Sequence, residues 1–434
     1  MKNNRMLHSS DIFCNVIDNY GDIGVSWRLA RQLVNEFDLN VRLWVDDLSS
    51  FAKLCPEADA SLEIQHRRGV EVRLWHQDFP DVQVADLVID AFGCTLPPSY
   101  LAAMVEIAIH SDRSAKMDAR RQGLVKRDST DKYSEEDEAA ANNAGASLIG
   151  RKPVWINLEY LSAEDWVEGC HKLPSPKPPL TRYFFFPGFT KKTGGLLLEH
   201  DLLARRDAFL RDKNQQLAFW RSIGMAVPSA DTLKISLFAY ENAALTSLFD
   251  AWAEGAQPVL CLVPEGRILP QVRQYFDDCI GINPDLHTYK RGNLEVRVLP
   301  FVEQERYDEL LWVCDVNFVR GEDSCVRAQW AGKPFVWQIY PQHDAVHWDK
   351  LQAFLDLYGG RLGAEDMQAM QGLWRQWNDE GDAGQAWSSF ANRLVQLNFG
   401  AQAWSLQLSS NNLALNLLDF SQEIGTMRAF KIDG

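Results

Sequence analysis

The stretch Val316–Tyr340 constrains the fold more than any other part of this 434-residue chain: an apolar run, VNFV, breaks on the short acidic loop RGEDS and restarts as an amphipathic helix before a second apolar run, FVWQIY. Val316–Val319 predicts a buried parallel strand, Arg320 and Gly321 the turn, and Glu322, Asp323 and Ser324 the cap and first turn of a helix reaching Ala331. Gly332, Lys333 and Pro334 stop that helix, and Phe335–Tyr340 predicts the next strand. In an open parallel sheet the crevice at the C-terminal strand ends collects ligands, and a helix starting there aims backbone N–H groups at a phosphate. RGEDS therefore stands where a nucleotide diphosphate would sit. The alternative is an ordinary N-cap at Asp323 or Ser324, and on these residues alone the cap is the simpler account.

The same strand–helix grammar fills both halves of the chain. In the first, strands are expected at Asp11–Ile17, Asn40–Val45, Val70–Trp75, Ala85–Asp90 and Val154–Asn157, with helices at Val25–Phe37 and Ser99–His110. In the second, strands at Leu233–Ala239, Pro258–Val263 and Leu294–Phe301 precede the two already named. The length exceeds what one hydrophobic core serves, so the reading is α/β with two Rossmann-like domains. The first spans 1–180 and carries a polar insertion at 111–150; the second spans 181–380; helices in 381–434 are able to pack back on the first. Helices are expected at His347–Leu357, Ala364–Asn378 and Ala386–Leu397, and the run PSPKPP at Pro174–Pro179 reads as an interdomain linker.

A net charge of −15 argues against nucleic acid, because no basic excess is present to neutralise phosphates. No stretch approaches the ~18 uninterrupted apolar residues of a membrane span. The eight cysteines show no C-x-x-C spacing and several lie in apolar runs, which suits buried thiols in a reducing compartment and a cytoplasmic protein.

The loop after the first strand is Asp18-Asn19-Tyr20-Gly21-Asp22-Ile23-Gly24. It occupies the position of a dinucleotide-binding turn but lacks G-x-G-x-x-G, and it carries two carboxylates where a pyrophosphate needs bare backbone. Like charges at about 5 Å repel by roughly 3 kcal/mol at an effective dielectric near 20, so the loop suits a cation or a proton better than a phosphate. Asp18 in an Asx-turn and Asp22 as a helix cap are the structural alternative. FFFPGFTKKTGGL (184–196) lacks the Walker order, and His343 and His347 fall short of a zinc motif because Pro341 puts His343 at a helix start. Phe238 and Tyr240 at one strand end, with Phe301 and Gln304 at another, could flank a base by stacking and amide hydrogen bonding, though strand-end aromatics are more often core rims.

The segments VIDNYGDIGVSWRLARQL, INLEYLS and VRGEDSCVRAQWAGKPFVWQIYPQ closely resemble the EarP family, bacterial protein-arginine rhamnosyltransferases that modify elongation factor P, and the resemblance runs over nearly the whole chain. It implies the GT-B fold, dTDP-β-L-rhamnose as donor, one arginine of elongation factor P as acceptor, inversion, and neither metal nor cofactor. By the same resemblance Asp22 is the general base, Asp18 orients the guanidinium or the sugar, and Glu322 is an essential carboxylate near the donor. Asp323 and Ser324 contact the diphosphate, while Phe238, Tyr240, Phe301 and Gln304 form the dTDP pocket, the last two at the thymine. The chemistry is consistent: a guanidinium with a pKa above about 12 is no nucleophile until a carboxylate takes a proton. Competing readings are a transferase of the same fold with another nucleotide sugar or acceptor, and a nucleotide-sugar-binding module without turnover. Asp22 and Glu322 count against the second, since a pure binder needs no base.

Overall fold

The computed structural model describes residues 7–17, 20–76, 78–121, 151–277, 287–340, 346–379 and 381–430, and both expected α/β halves are present. The first sheet has eight strands: β1 (Ser9–Cys14), β2 (Asn40–Val45), β3 (Ile64–Arg67), β4 (Val70–Leu74), β5 (Leu87–Ala91), β6 (Val154–Leu158), β7 (Pro174–Lys177) and β8 (Leu180–Phe185). Their order is β3-β4-β2-β1-β5-β6-β8-β7, parallel from β4 to β8 with β3 and β7 as antiparallel edges. The second sheet joins β9 (Leu233–Leu237), β10 (Val259–Pro264), β11 (Thr288–Arg291), β12 (Leu294–Leu299), β13 (Val316–Arg320) and β14 (Phe335–Gln338) in the order β11-β12-β10-β9-β13-β14. Only its edge strand β11 pairs antiparallel. Both are doubly wound sheets whose strand order reverses beside β1 and β9, which opens a crevice at the C-terminal ends of the central strands.

The first half carries helices α1 (Gly21–Phe37), α2 (Leu48–Leu54), α3 (Pro98–Arg121) and α4 (Trp166–Cys170). In the second lie α5 (Leu202–Arg211), α6 (Lys213–Ser222), α7 (Leu245–Glu254), α8 (Leu269–Phe276), α9 (Gln304–Val313) and α10 (Asp323–Ala331). The chain ends with α11 (Val346–Gly359), α12 (Ala364–Asn378), α13 (Ala383–Ala391), α14 (Leu394–Leu408) and α15 (Leu413–Phe430). Along β1, Ile12 and Cys14 face one core and Phe13 the other, so the strand is buried on both sides and reads as a continuous apolar run. The Phe13 side is closed by Tyr100, Met104 and Ala108 of α3. The opposite side is closed by α1 and, from the far end of the chain, by Leu413, Leu417 and Leu418 of α15.

The chain thus crosses between the halves twice, and the two crossings touch. Leu413 N–H donates to Leu196 O at 3.0 Å and Leu196 N–H to Asn411 O at 3.2 Å. Gly195, at φ +83°, allows this approach: a Cβ there would lie 2.2 Å from Asn411 O.

Several expectations are corrected. Pro174–Lys177 is the edge strand β7, hydrogen-bonded to β8, and not a linker; an edge strand tolerates prolines because one row of its N–H groups has no partner to lose. The first sheet consequently runs to Phe185, past residue 180. The insertion expected from Ser111 begins as the continuation of α3 to Arg121, and 122–150 lie outside the described residues. The expected helix Ala386–Leu397 is two helices that meet around Asn392 and Arg393. Helix α1 starts at Gly21, so Asp22 and Gly24 belong to its first turn and not to a loop.

Candidate active site

The strand ends of β1 and β13 face each other across the cleft between the halves. Helix α1 follows the first and α10 the second, and neither has a side-chain cap: Tyr20 and Glu322 hold the N-cap positions without a capping hydrogen bond. Asp323 and Ser324 are therefore not caps, and the first N–H groups of α10 are left to the cleft. Gly321, at φ +61°, makes the turn out of β13, and Trp337 Nε1 donates to its carbonyl at 2.9 Å.

Between the helix starts lies a pocket lined by Tyr20, Gly21 and Leu54 from the first half and by residues of the second including Phe238, Phe301, Gln304, Arg320, Asp323 and Ser324. Among the described residues Arg320 is the only cation in this lining. It is 4% exposed and held between two rings, its guanidinium carbon 4.6 Å from the Phe238 centroid and 4.4 Å from that of Tyr240. Tyr240 itself is buried behind Arg320 and does not line the cleft. Phe301 packs on Tyr20 with centroids 5.0 Å apart, so the cleft wall is continuous across the halves.

Ser324 Oγ accepts from Arg320 N–H at 3.0 Å and donates to the carbonyl of the same residue, which fixes the RGEDS turn. Asp323 accepts from Arg28 Nε at 2.7 Å and from Gln304 Nε2 at 3.3 Å. The Gln304 amide also donates to Gly24 O at 3.0 Å and accepts from Arg31 Nη2 at 2.8 Å, so reaching a base would require it to leave these partners.

Gly24, Arg28 and Arg31 lie on one face of α1, at helical spacing, and press it onto α9 and α10. Arg28, 2% exposed, also reaches Glu199 at 3.4 Å and Asp308 at 3.6 Å, while Arg327 binds Asp308 and Glu199 at 2.7 and 2.6 Å. Burial pushes the Glu199 carboxyl up, but the Arg327 and Arg28 guanidiniums outweigh it and hold it well below the usual carboxylate range. The charge of Asp323 is likewise neutralised from the opposite half, by Arg28.

Asp22 is 3% exposed; its Oδ2 accepts from Ile17 N–H at 2.9 Å, and its charge acts on the nearby phenol of Tyr160. Glu322 accepts from Leu161 N–H. The loop after β6 therefore meets both carboxylates through adjacent residues, Asp22 from the first half and Glu322 from the second. Asp18 lies outside the described residues. Arg320, Arg28 and Tyr160 were not singled out from the sequence; the available signals were an arginine opening RGEDS, two arginines on the buried side of α1, and a tyrosine in INLEYLS.

No group of three or more His, Cys, Asp or Glu side chains is placed to hold a metal ion among the described residues, and none of their helices is long and apolar enough to cross a membrane. Two doubly wound domains facing across a cleft at their strand ends have the architecture of a GT-B glycosyltransferase. The profile of the family described as Elongation-Factor P (EF-P) rhamnosyltransferase EarP matches residues 10–111 and 136–422, and the chain belongs to that family. It is 48% identical to a protein-arginine rhamnosyltransferase of Pseudomonas putida over 94% of this chain and 97% of the relative. Its identity to the protein of the same name from Pseudomonas aeruginosa is 42%, over 95% and 98%. The fold matches a solved structure that describes EarP-mediated arginine glycosylation of translation elongation factor EF-P, with a TM-score of 0.60 at 35% identity, covering 96% of this chain and 99% of that one.

Proposed function

We propose that this glycosyltransferase moves L-rhamnose from dTDP-β-L-rhamnose to one arginine side chain of elongation factor P, with inversion and in the cytoplasm. The observation that carries the reading is the convergence of Asp22 and Glu322, one from each half, on Tyr160 and Leu161 beside a cleft whose cation is Arg320. Asp22 takes a proton from the guanidinium as its nitrogen attacks the sugar, and dTDP leaves toward Arg320 and the N–H groups of Asp323 and Ser324. These donors supply the charge stabilisation that a divalent ion provides elsewhere. Glu322 is the carboxylate near the donor, and Asp18 a partner for the acceptor or the sugar. Phe238 and Phe301 are the cleft walls for the nucleoside; Tyr240 serves by holding Arg320. Gln304 would meet thymine through its main chain, or through its amide after the contacts to Gly24 and Asp323 open. A neighbouring cleft lined by Glu164, Asp165, Glu168, Asp349 and Asp356 favours an acceptor segment with positive charge.

The test is the intact mass of purified elongation factor P after incubation with this protein and dTDP-rhamnose, beside an acceptor whose target arginine is changed to lysine. One deoxyhexose added only to the arginine form is the expected result. No addition despite measurable dTDP binding would move the function to another acceptor.

A further inference from the structure

The reading above assigns the acceptor guanidinium a base but no wall for its plane, and the loop after β6 supplies one. Leu161 N–H donates to Glu322, and the charges of both Asp22 and Glu322 act on the preceding Tyr160, so this side chain lies near the two carboxylates. It is 36% exposed, unusual for a side chain so placed. One face is covered by Phe92, with centroids 4.7 Å apart and planes 26° from parallel, and the exposure comes from the remainder of the side chain. Phe92 sits at φ +58°, a left-handed conformation that a bulky side chain adopts only at a cost, and its N–H is tied to Leu158 O at 2.6 Å. A backbone strained to present an aromatic ring beneath another, next to paired carboxylates, is the arrangement that binds a flat cation: negative ring face below, carboxylates at the rim.

We infer that Tyr160, backed by Phe92, is the wall on which the acceptor guanidinium lies flat, and that it thereby selects a planar cation and presents its nitrogen to Asp22. The inference rests on the proposed arginine acceptor. Burial and the charges of Asp22 and Glu322 push the Tyr160 phenol up, so it stays protonated and adds no negative charge of its own to the wall.

The experiment is steady-state transfer to elongation factor P by Tyr160→Leu, Tyr160→Phe and Phe92→Gly, each paired with a dTDP titration and a melting curve. Tyr160→Leu should raise the acceptor KM roughly 5- to 30-fold, the range of a cation on an aromatic face, with dTDP affinity unchanged. Tyr160→Phe keeps the ring, so the acceptor KM should hold within about twofold. Phe92→Gly relieves the left-handed backbone, so its Tm should be unchanged or higher while the acceptor KM rises. An unchanged acceptor KM in Tyr160→Leu would overturn the inference. So would parallel losses of dTDP affinity in all three variants, which would mark the loop as a support for Glu322. If the wild-type protein transfers nothing to elongation factor P, the underlying reading fails and this one with it.

Discussion

Removing the guanidinium of Arg320 tests the donor site most directly. A diphosphate oxygen about 4 Å from this cation gains roughly 4 kcal/mol of gross attraction at an effective dielectric near 20. Desolvation of both partners reduces that to the ~1.5–3 kcal/mol typical of hydrogen bonds to charged groups. Arg320→Gln should therefore weaken dTDP binding about 10- to 150-fold. Arg320→Lys keeps the charge but loses the planar fork clamped between Phe238 and Tyr240, 4.6 and 4.4 Å away, and should still cost about tenfold. Because Arg320 is 4% exposed, near-UV circular dichroism must accompany the calorimetric titration to show that the rings have not repacked. An Arg320→Gln protein with intact packing and dTDP affinity within threefold of wild type would refute the placement of the diphosphate.

Other outcomes follow from the same geometry. Asp22→Asn keeps an acceptor for Ile17 N–H but cannot take a proton, so single-turnover transfer should fall by about 10²- to 10⁴-fold with dTDP affinity unchanged; more than a tenth of wild-type transfer would remove Asp22 as base. Arg28→Gln leaves Asp323, Asp308 and Glu199 facing Arg327 alone, and should cost about 3–5 kcal/mol of stability in denaturant unfolding as well as dTDP affinity; normal values of both would show the cluster to be incidental. Burial raises the Glu305 carboxyl, but Arg31 and Arg68 of the opposite half outweigh this and hold it at about 2. A depressed carboxylate contributes stability above its usual 4.5 and loses it as pH falls from there to about 2. Glu305 is 36% exposed, so solvent screening leaves about 1 kcal/mol, and Glu305→Gln should flatten the stability profile in that window; an unaltered acid limb would count against it.

What could be read from the chain alone depended on whether a residue's role was local. The strands of both sheets were legible because parallel strands buried on two faces must be continuously apolar, and the helix after RGEDS because Gly332 ends it in a left-handed turn at φ +64°. Prolines misled at Pro174–Lys177, where composition favours a linker and only pairing with β8 makes a strand. Arg320 reads as a turn residue until Phe238 and Tyr240, some eighty positions earlier, close around it. Arg28 looks like an ordinary helix residue, and Gln304 like a strand-end amide free to meet a base, because their partners come from the other half of the chain.

The return of α15 to the first domain bears on the order of biosynthesis. Leu413, Leu417 and Leu418, with their neighbours in α15, complete a core whose other members, from Leu7 to Leu197, leave the ribosome much earlier. The nascent N-terminal domain must therefore wait, with an apolar face uncovered, until nearly the whole chain has been made, so the domain synthesised first is completed last. Its maturation becomes a checkpoint on translation past Leu413: a product truncated between Gln338 and Leu413 carries the strands of both sheets together with Asp22 and Glu322, yet exposes the sticky surface by which quality control can recognise it.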